Sequence, residues 1–310
     1  MKLAEVTPVC KPNKPRNDID SYRPITVNSN FIKIFEILLN NNINAFLKQT
    51  NILPLNQYGF RTNFSTESQL VDLIYYLNTN INDKMVKYID TIFIDKSNAF
   101  DSIPHNLLIE KLYKIGISGN FLKLLNDFLD NRQQYVVYNN TKSHIRPVTS
   151  GTPQGSIISP TLFNLYLYDL PNFCKNSLLL QYADDSALIK PIRTDTDIQL
   201  LQNDLNYIVD YSKINGLKIN VTKTYNLRVN TQKFHDYNVY KINNDYIESV
   251  RTHRHLGIIL DYKLNFNDNI DNIVNKSVKK WSTLKHICKK AYSLVFLSLY
   301  KTYPTTDRIL

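Results

Sequence analysis

Residues 178–189 read LLLQYADDSALI. Apolar residues flank Asp184-Asp185, a pattern that predicts strand, tight turn, strand. Adjacent carboxylates at the tip of an apolar hairpin repel each other unless something positive binds them. Asp is also a favoured turn residue, so the pair taken alone equally describes a plain turn. Working outward, YIDTIFI at 88–94 is short, apolar and β-branched, reads as a strand and ends at Asp95. Placed side by side, the two strands bring Asp95, Asp184 and Asp185 together. Hard oxygen ligands of this kind suit Mg²⁺, which combines carboxylates with substrate phosphate and retained waters. Two such ions about 3.5–4 Å apart can activate a 3′-hydroxyl and stabilise leaving pyrophosphate. Asp101, six residues beyond Asp95, reads as a structural cap or surface group.

Between these strands lies SGTPQGSIISPTLFNLYLYDLP, residues 150–171. Gly151 and Gly155 allow a tight turn and close approach of a ligand. Gln154 offers an amide donor and an acceptor. Ser159-Pro160 reads as an N-cap followed by proline at the first helical position. The helix is expected to run to about Leu170 and stop at Pro171. Its N-terminus could face phosphate, and a loop leading into a buried helix explains the same residues.

The remaining pattern mixes helices with short strands. Helices are expected over 31–48, after a capping box at Thr66–Gln69, over 104–115 and 118–129, and over 197–215 with Gly216 closing it. Tyr135–Tyr138 before Asn139-Asn140 suggests a hairpin. Short strands are expected near 217–220, 225–229 and 246–250. Strand pairs and helices mixed this way, without repeats or a linker, give an α+β fold class. His253 and His255 read as surface or strand residues.

The chain has 310 residues, with 37 Lys+Arg against 27 Asp+Glu, a net charge of +10. It holds 38 asparagines and only seven glycines, the composition expected of an A/T-rich gene. No apolar run is long enough to span a membrane, and the N-terminus lacks a secretory core. Cys10, Cys174 and Cys288 form no paired motif, so neither a disulfide framework nor a zinc site is expected, and an intracellular setting is the default. The positive excess favours a polyanionic partner. It concentrates in NKSVKKWSTLKHICKK, 275–290, with six lysines and no acid. Val278, Trp281, Leu284 and Cys288 fall there at helical spacing, giving an amphipathic helix with a basic face.

Three segments in order, IDKSNAFDSIPH, TPQGSIISPTLFNLYLYDLP and YADD, together resemble the reverse transcriptases of non-LTR retrotransposons, the LINE-type and jockey-like elements. SYRPITVNSNFIKIFE, QYGFRTNFSTESQL, LKINVTKT and HLGIILD resemble further blocks of that family in the same order. The likeness spans roughly residues 2–300. It implies a right-hand polymerase fold of fingers, palm and thumb with an antiparallel palm sheet. Fingers and palm would be interleaved over 1–262, with a palm core at about 88–112 and 148–250. Residues 263–310 would begin a truncated thumb.

By position, the resemblance makes Asp95, Asp184 and Asp185 the ligands of two Mg²⁺ ions, with Mn²⁺ as a substitute. Phe100 would stand against the sugar of a dNTP and exclude a 2′-hydroxyl. Gln154 and Gly155 would contact the incoming nucleotide and template, and Arg23 and Arg61 the triphosphate or template. Lys223 would serve the leaving pyrophosphate as acid or as charge. Leu256 and Gly257 would grip the primer, and Lys279 and Lys280 would face the duplex backbone. The implied activity is RNA-directed DNA polymerisation on an RNA template, DNA primer and dNTPs, in the nucleus, with no protein partner identifiable.

Two features depart from the family. Lys96 and Asn98 stand where an apolar residue and a lysine are usual. Lys96 would either bury its charge in the palm or pair with Asp95 and compete with metal. The chain also reads as a polymerase core without endonuclease, RNase H or zinc knuckle. A decayed remnant that only binds nucleic acid is therefore one alternative. A group II intron or retron-type reverse transcriptase is the other.

Overall fold

The computed structural model describes residues 2–12, 14–230 and 239–287. Its centre is a five-stranded sheet with the order Glu248–Val250, Tyr225–Val229, Tyr88–Ile94, Asp185–Ile192, Leu178–Tyr182. Every pairing is antiparallel except the outermost, where Tyr225–Val229 and Glu248–Val250 run parallel. Tyr88–Ile94 is the middle strand, and helices or hairpins cover both faces, which is why its sequence is nearly continuously apolar. Ile92 and Ile94 enter one core cluster, with Leu108, Leu162, Phe163 and Leu205 from helices. Ile89 and Phe93 enter the other, with Leu70, Leu73 and Leu77 of the Thr66–Ile81 helix. Alternate residues of one strand thus anchor two layers.

A second sheet joins Tyr22–Val27, Leu3–Cys10 and Arg132–Tyr138, with Thr141–Lys142 and Arg146–Val148 added to the last. Leu3–Cys10 runs parallel to Arg132–Tyr138, and Pro8 stands opposite Pro24. Neither N-terminal segment is among the strands read from the sequence; each carries a proline, which cannot donate to a ladder. The hairpin at Asn139-Asn140 forms, with both residues in the left-handed region.

Helices occupy Asn30–Thr50, Thr66–Ile81, His105–Lys114, Gly119–Leu129 and Asp195–Ile214. Three local readings shift. The capping box uses Ser65 and Ser68, one residue before the expected pair. The helix at Ser159 has Ile158 as its cap and ends at Tyr166, four residues early. Pro171 then lies inside a short 3-10 turn, Leu170–Phe173, instead of stopping the helix. The basic helix spans Asn267–Ile287, while Cys288, Lys289 and Lys290 lie outside the described residues. Along its apolar stripe, among the described residues, Leu284 is covered while Val278 and Trp281 are half exposed. Among the described residues no helix is long and apolar enough to cross a membrane.

Candidate active site

Register brings the carboxylates together. Ile94 pairs with Ser186 and Tyr182 with Asp185, so Asp95 emerges beside the Asp184-Asp185 turn. Ala183 takes the left-handed conformation that the tight turn needs. The turn is braced from outside. Tyr58 N–H donates to the Gln181 carbonyl, and Gln181 N–H donates to that of Asn56. The fully buried Gln57 accepts from the N–H groups of both Gly59 and Ala183 through its Oε1, at 2.9 and 3.1 Å. A side chain at Gly59 would collide with the Ala183 backbone, so glycine is required for the approach. Gln57 was not singled out in the sequence. Its only signal is the neighbouring glycine in a glycine-poor chain.

Lys96 resolves in favour of burial. Its side chain enters the core at 5% exposure and donates to the Asp184 carbonyl at 3.0 Å and Ser186 Oγ at 2.7 Å. It therefore does not take up the Asp95 carboxylate. Burial pulls its ammonium down to about 8, while the charges of Asp184, Asp185 and Asp95 oppose that shift. The lysine is thus a fixed cation beneath three acids, which repays part of its desolvation.

The acids respond to crowding. Asp185 reaches solvent but stands deep among protein atoms, so desolvation, and then Asp184 beside it, push its carboxyl up to about 6. Burial also raises Asp95, opposed first by Lys223, and Asp184 adds to the rise. Lys223 ends an exposed 3-10 turn, Val221–Lys223. That turn is tied to the site where Asn220 N–H donates to the Asp95 carbonyl at 2.9 Å. The backbone of Lys96-Ser97 pairs with Lys218-Ile219 alongside.

The 150–155 loop packs on the segment after Asp95. Thr152 N–H donates to the Phe100 carbonyl at 2.8 Å. A Cβ at Gly151 would fall 2.6 Å from Asp101 Cα, and its φ of +82° is disfavoured for other residues. Phe100 is half buried, stacked on Phe163 at 4.3 Å and edge-on to Phe60 at 6.3 Å. Asp101 is a partner of the site and not a surface group: it accepts from Gln154 Nε2 at 2.6 Å. Gly155 is exposed beneath Thr26, whose N–H donates to the Gln154 carbonyl at 2.7 Å.

Arg23 lies exposed on Tyr22–Val27. Arg61 holds its own loop, donating through NH1 to the Pro54 and Gln57 carbonyls at 2.6 and 2.9 Å, with its guanidinium over Phe64. Leu256 and Gly257 form the tip between Thr252–His255 and Ile258–Asp261. His253 and His255 are strand residues but not surface ones. His253 stacks on Phe93 at 4.1 Å, and burial lowers both rings to about 4. Lys279 is exposed on the Asn267–Ile287 helix, with Lys280 next to it.

Among the described residues no three His, Cys, Asp or Glu side chains form a ready metal cage. The donor set still fits Mg²⁺, because that ion takes only one or two carboxylates and completes its shell with waters and substrate phosphate.

Comparison with known proteins places this geometry. Residues 11–260 match the family described as Reverse transcriptase (RNA-dependent DNA polymerase), and the chain belongs to it. It is 28% identical over 313 residues to a probable RNA-directed DNA polymerase from transposon BS of Drosophila melanogaster, covering 97% of this chain and 34% of that protein. It is 29% identical to the RNA-directed DNA polymerase from mobile element jockey of the same organism, covering 88% of this chain and 30% of the relative. The chain thus spans about a third of the length of these relatives. A solved telomerase of Candida tropicalis, in complex with a TWJ fragment of telomeric RNA, superposes with a TM-score of 0.53. It covers 86% of this chain and 44% of that one at 13% identity. The fold is therefore the α+β right-hand polymerase fold, and the likeness to non-LTR retrotransposon enzymes holds.

Proposed function

We propose that this chain extends a DNA primer on an RNA template by nucleotidyl transfer from dNTPs, as the polymerase core of a mobile element. The observation that carries the reading is the convergence of Asp95, Asp184 and Asp185 at adjacent strand ends, with Lys223 interacting with Asp95. The names of the relatives and the RNA bound to the telomerase support it. Asp95, Asp184 and Asp185 would hold two Mg²⁺ ions, with Mn²⁺ as a substitute. When bound, these ions supply charge stabilisation and lower the pKa of the attacking hydroxyl. In the reaction the primer 3′-oxygen bonds to the α-phosphorus, the bond to the bridging oxygen breaks to release pyrophosphate, and the hydroxyl proton passes to solvent water.

Lys223 offers charge, or a proton, to the departing pyrophosphate. Phe100, held from behind by Phe163, presents a ring to the sugar and excludes a 2′-hydroxyl. Gln154 and Gly155 face the nucleotide and template, and Arg23 the triphosphate. Arg61 acts through the loop it holds. Leu256 and Gly257 seat the primer, and Lys279 and Lys280 contact the duplex phosphates. Residues 1–262 supply fingers and palm, and 263–310 begin the thumb. The site of action is the nucleus.

A second reading, binding without polymerisation, is favoured by one observation, the buried Lys96 beneath the carboxylates. Poly(rA)/oligo(dT) with dTTP and Mg²⁺ separates the two. Extension that Asp184→Ala abolishes supports the polymerase. Retained binding with no extension leaves only the second reading.

A further inference from the structure

The sheet containing Leu3–Cys10 and the 149–154 loop enclose a cavity of about 360 Å³, the size of a small-ligand site. Among its walls are Arg132, Thr152, Asp101 and Gln154. Two of these are buried polar groups without an answer. Arg132 is 5% exposed, and among the described residues its guanidinium has no hydrogen bond or ion pair, only the Phe128 ring at 5.2 Å. Thr152 is 2% exposed, and its Oγ1 has no partner. The buried acid whose charge Arg132 feels is Glu36, which is already committed to Asn28 Nδ2 at 2.9 Å and Ile157 N–H at 2.7 Å. A buried cation without an acceptor on a cavity wall calls for an anionic partner.

We propose that this cavity is a phosphate subsite for the template strand, with Arg132 donating to one backbone phosphodiester. The inference rests on the polymerase reading above. Three observations select the strand. The Asp101 carboxylate shares the cavity and is held by Gln154, so the site carries one positive and one negative charge. With the net charge of the cavity near zero, a singly charged phosphodiester meets less repulsion there than a triphosphate would. The cavity adjoins Phe100-Asp101 through the Thr152 and Gly151 contacts, next to the nucleotide position. It also opens on the N-terminal sheet, whereas the Leu256-Gly257 hairpin packs with the other core cluster, so the primer side lies elsewhere. Arginine suits the task because its planar fork matches phosphate oxygens in pairs.

The test is anisotropy binding of labelled RNA template on DNA primer, with a single-stranded template overhang, over a series of salt concentrations. Arg132→Gln is expected to weaken binding about tenfold and to reduce the salt slope by about 0.7, one single-strand phosphate contact. Thr152→Val, at a hydroxyl closed off from the cavity, should leave affinity and slope unchanged. Arg132→Lys should restore the slope. The thermal midpoint of Arg132→Gln without nucleic acid should hold or rise, since an uncompensated charge has been removed. Unchanged affinity and slope in Arg132→Gln, or a lowered midpoint with binding intact, would overturn the subsite. A raised KM for dTTP with template affinity unchanged would overturn the choice of strand. Binding is read without extension. Wild-type protein that binds through Arg132 but never extends a primer therefore sinks the polymerase reading alone.

Discussion

At the two ends of one strand, Tyr88–Ile94, stand acids with opposite fates. At one end Asp90 is fully buried and fully answered. Arg228 grips it through Nε and NH2 at 2.8 and 2.9 Å, Tyr240 donates at 2.7 Å and Asn226 at 3.5 Å. The Arg228 guanidinium also lies over the Tyr88 ring at 4.0 Å. At the other end Asp95 meets two more carboxylates, and Lys96 below them donates to a carbonyl and a hydroxyl instead of to an acid. The first cluster is closed and serves the fold. The second leaves its charge available to a ligand, which is the mark of a site held for function.

The largest effect should come from opening the closed end. Arg228→Met leaves Asp90 buried without its cation, a loss of about 3–5 kcal/mol of stability by denaturant titration. Extension per folded molecule should persist; if it vanished too, the contrast between the ends would fail. Next comes the open end. Asp184→Asn should lower extension by more than about 100-fold, near 2.7 kcal/mol, with the melting curve little changed. Extension at wild-type rate would remove Asp184 from the metal site.

Lys96→Met tests what lies between. Without the ammonium the three acids face each other, so stability should fall by roughly 1–3 kcal/mol in EDTA and recover in part with Mg²⁺. A loss indifferent to Mg²⁺ would mean that Lys96 only fills space. The buried histidines should add a smaller, pH-dependent effect. Their folded pKa values near 4 lie below the unfolded 6.5, so the unfolded state binds more protons between them. Stability should therefore fall as pH drops from about 6.5 to 4, on the order of 1–2 kcal/mol per ring. The double variant His253→Phe, His255→Phe should flatten that slope. The smallest change is Lys279→Gln, expected to cut the salt slope of duplex binding by about 0.9.

Much of this was legible in advance, for a physical reason. Periodicity reports burial directly, so Tyr88–Ile94 and the Leu178–Ile192 hairpin could be read from apolar patterning, and the acids at their ends stood out against it. What failed to show were features set by partners distant in sequence. The N-terminal strands were hidden because Pro8 and Pro24 weaken the local strand signal, and they pair only because two segments meet. Gln57 is an ordinary loop residue until Ala183 comes within 3.1 Å of it. His253 and His255 carry no mark of burial until Phe93 lies against them.

The sequence by itself determined the family, the order of the blocks and which carboxylates could meet, because each of these rests on residue type and spacing along the chain. Only the tertiary structure decided where Lys96 sends its charge, which acid is answered and which is open, and that Arg132 is buried with no acceptor among the described residues. Those outcomes depend on desolvation and on the sum of neighbouring charges, and both are set by which segments pack together rather than by any residue alone.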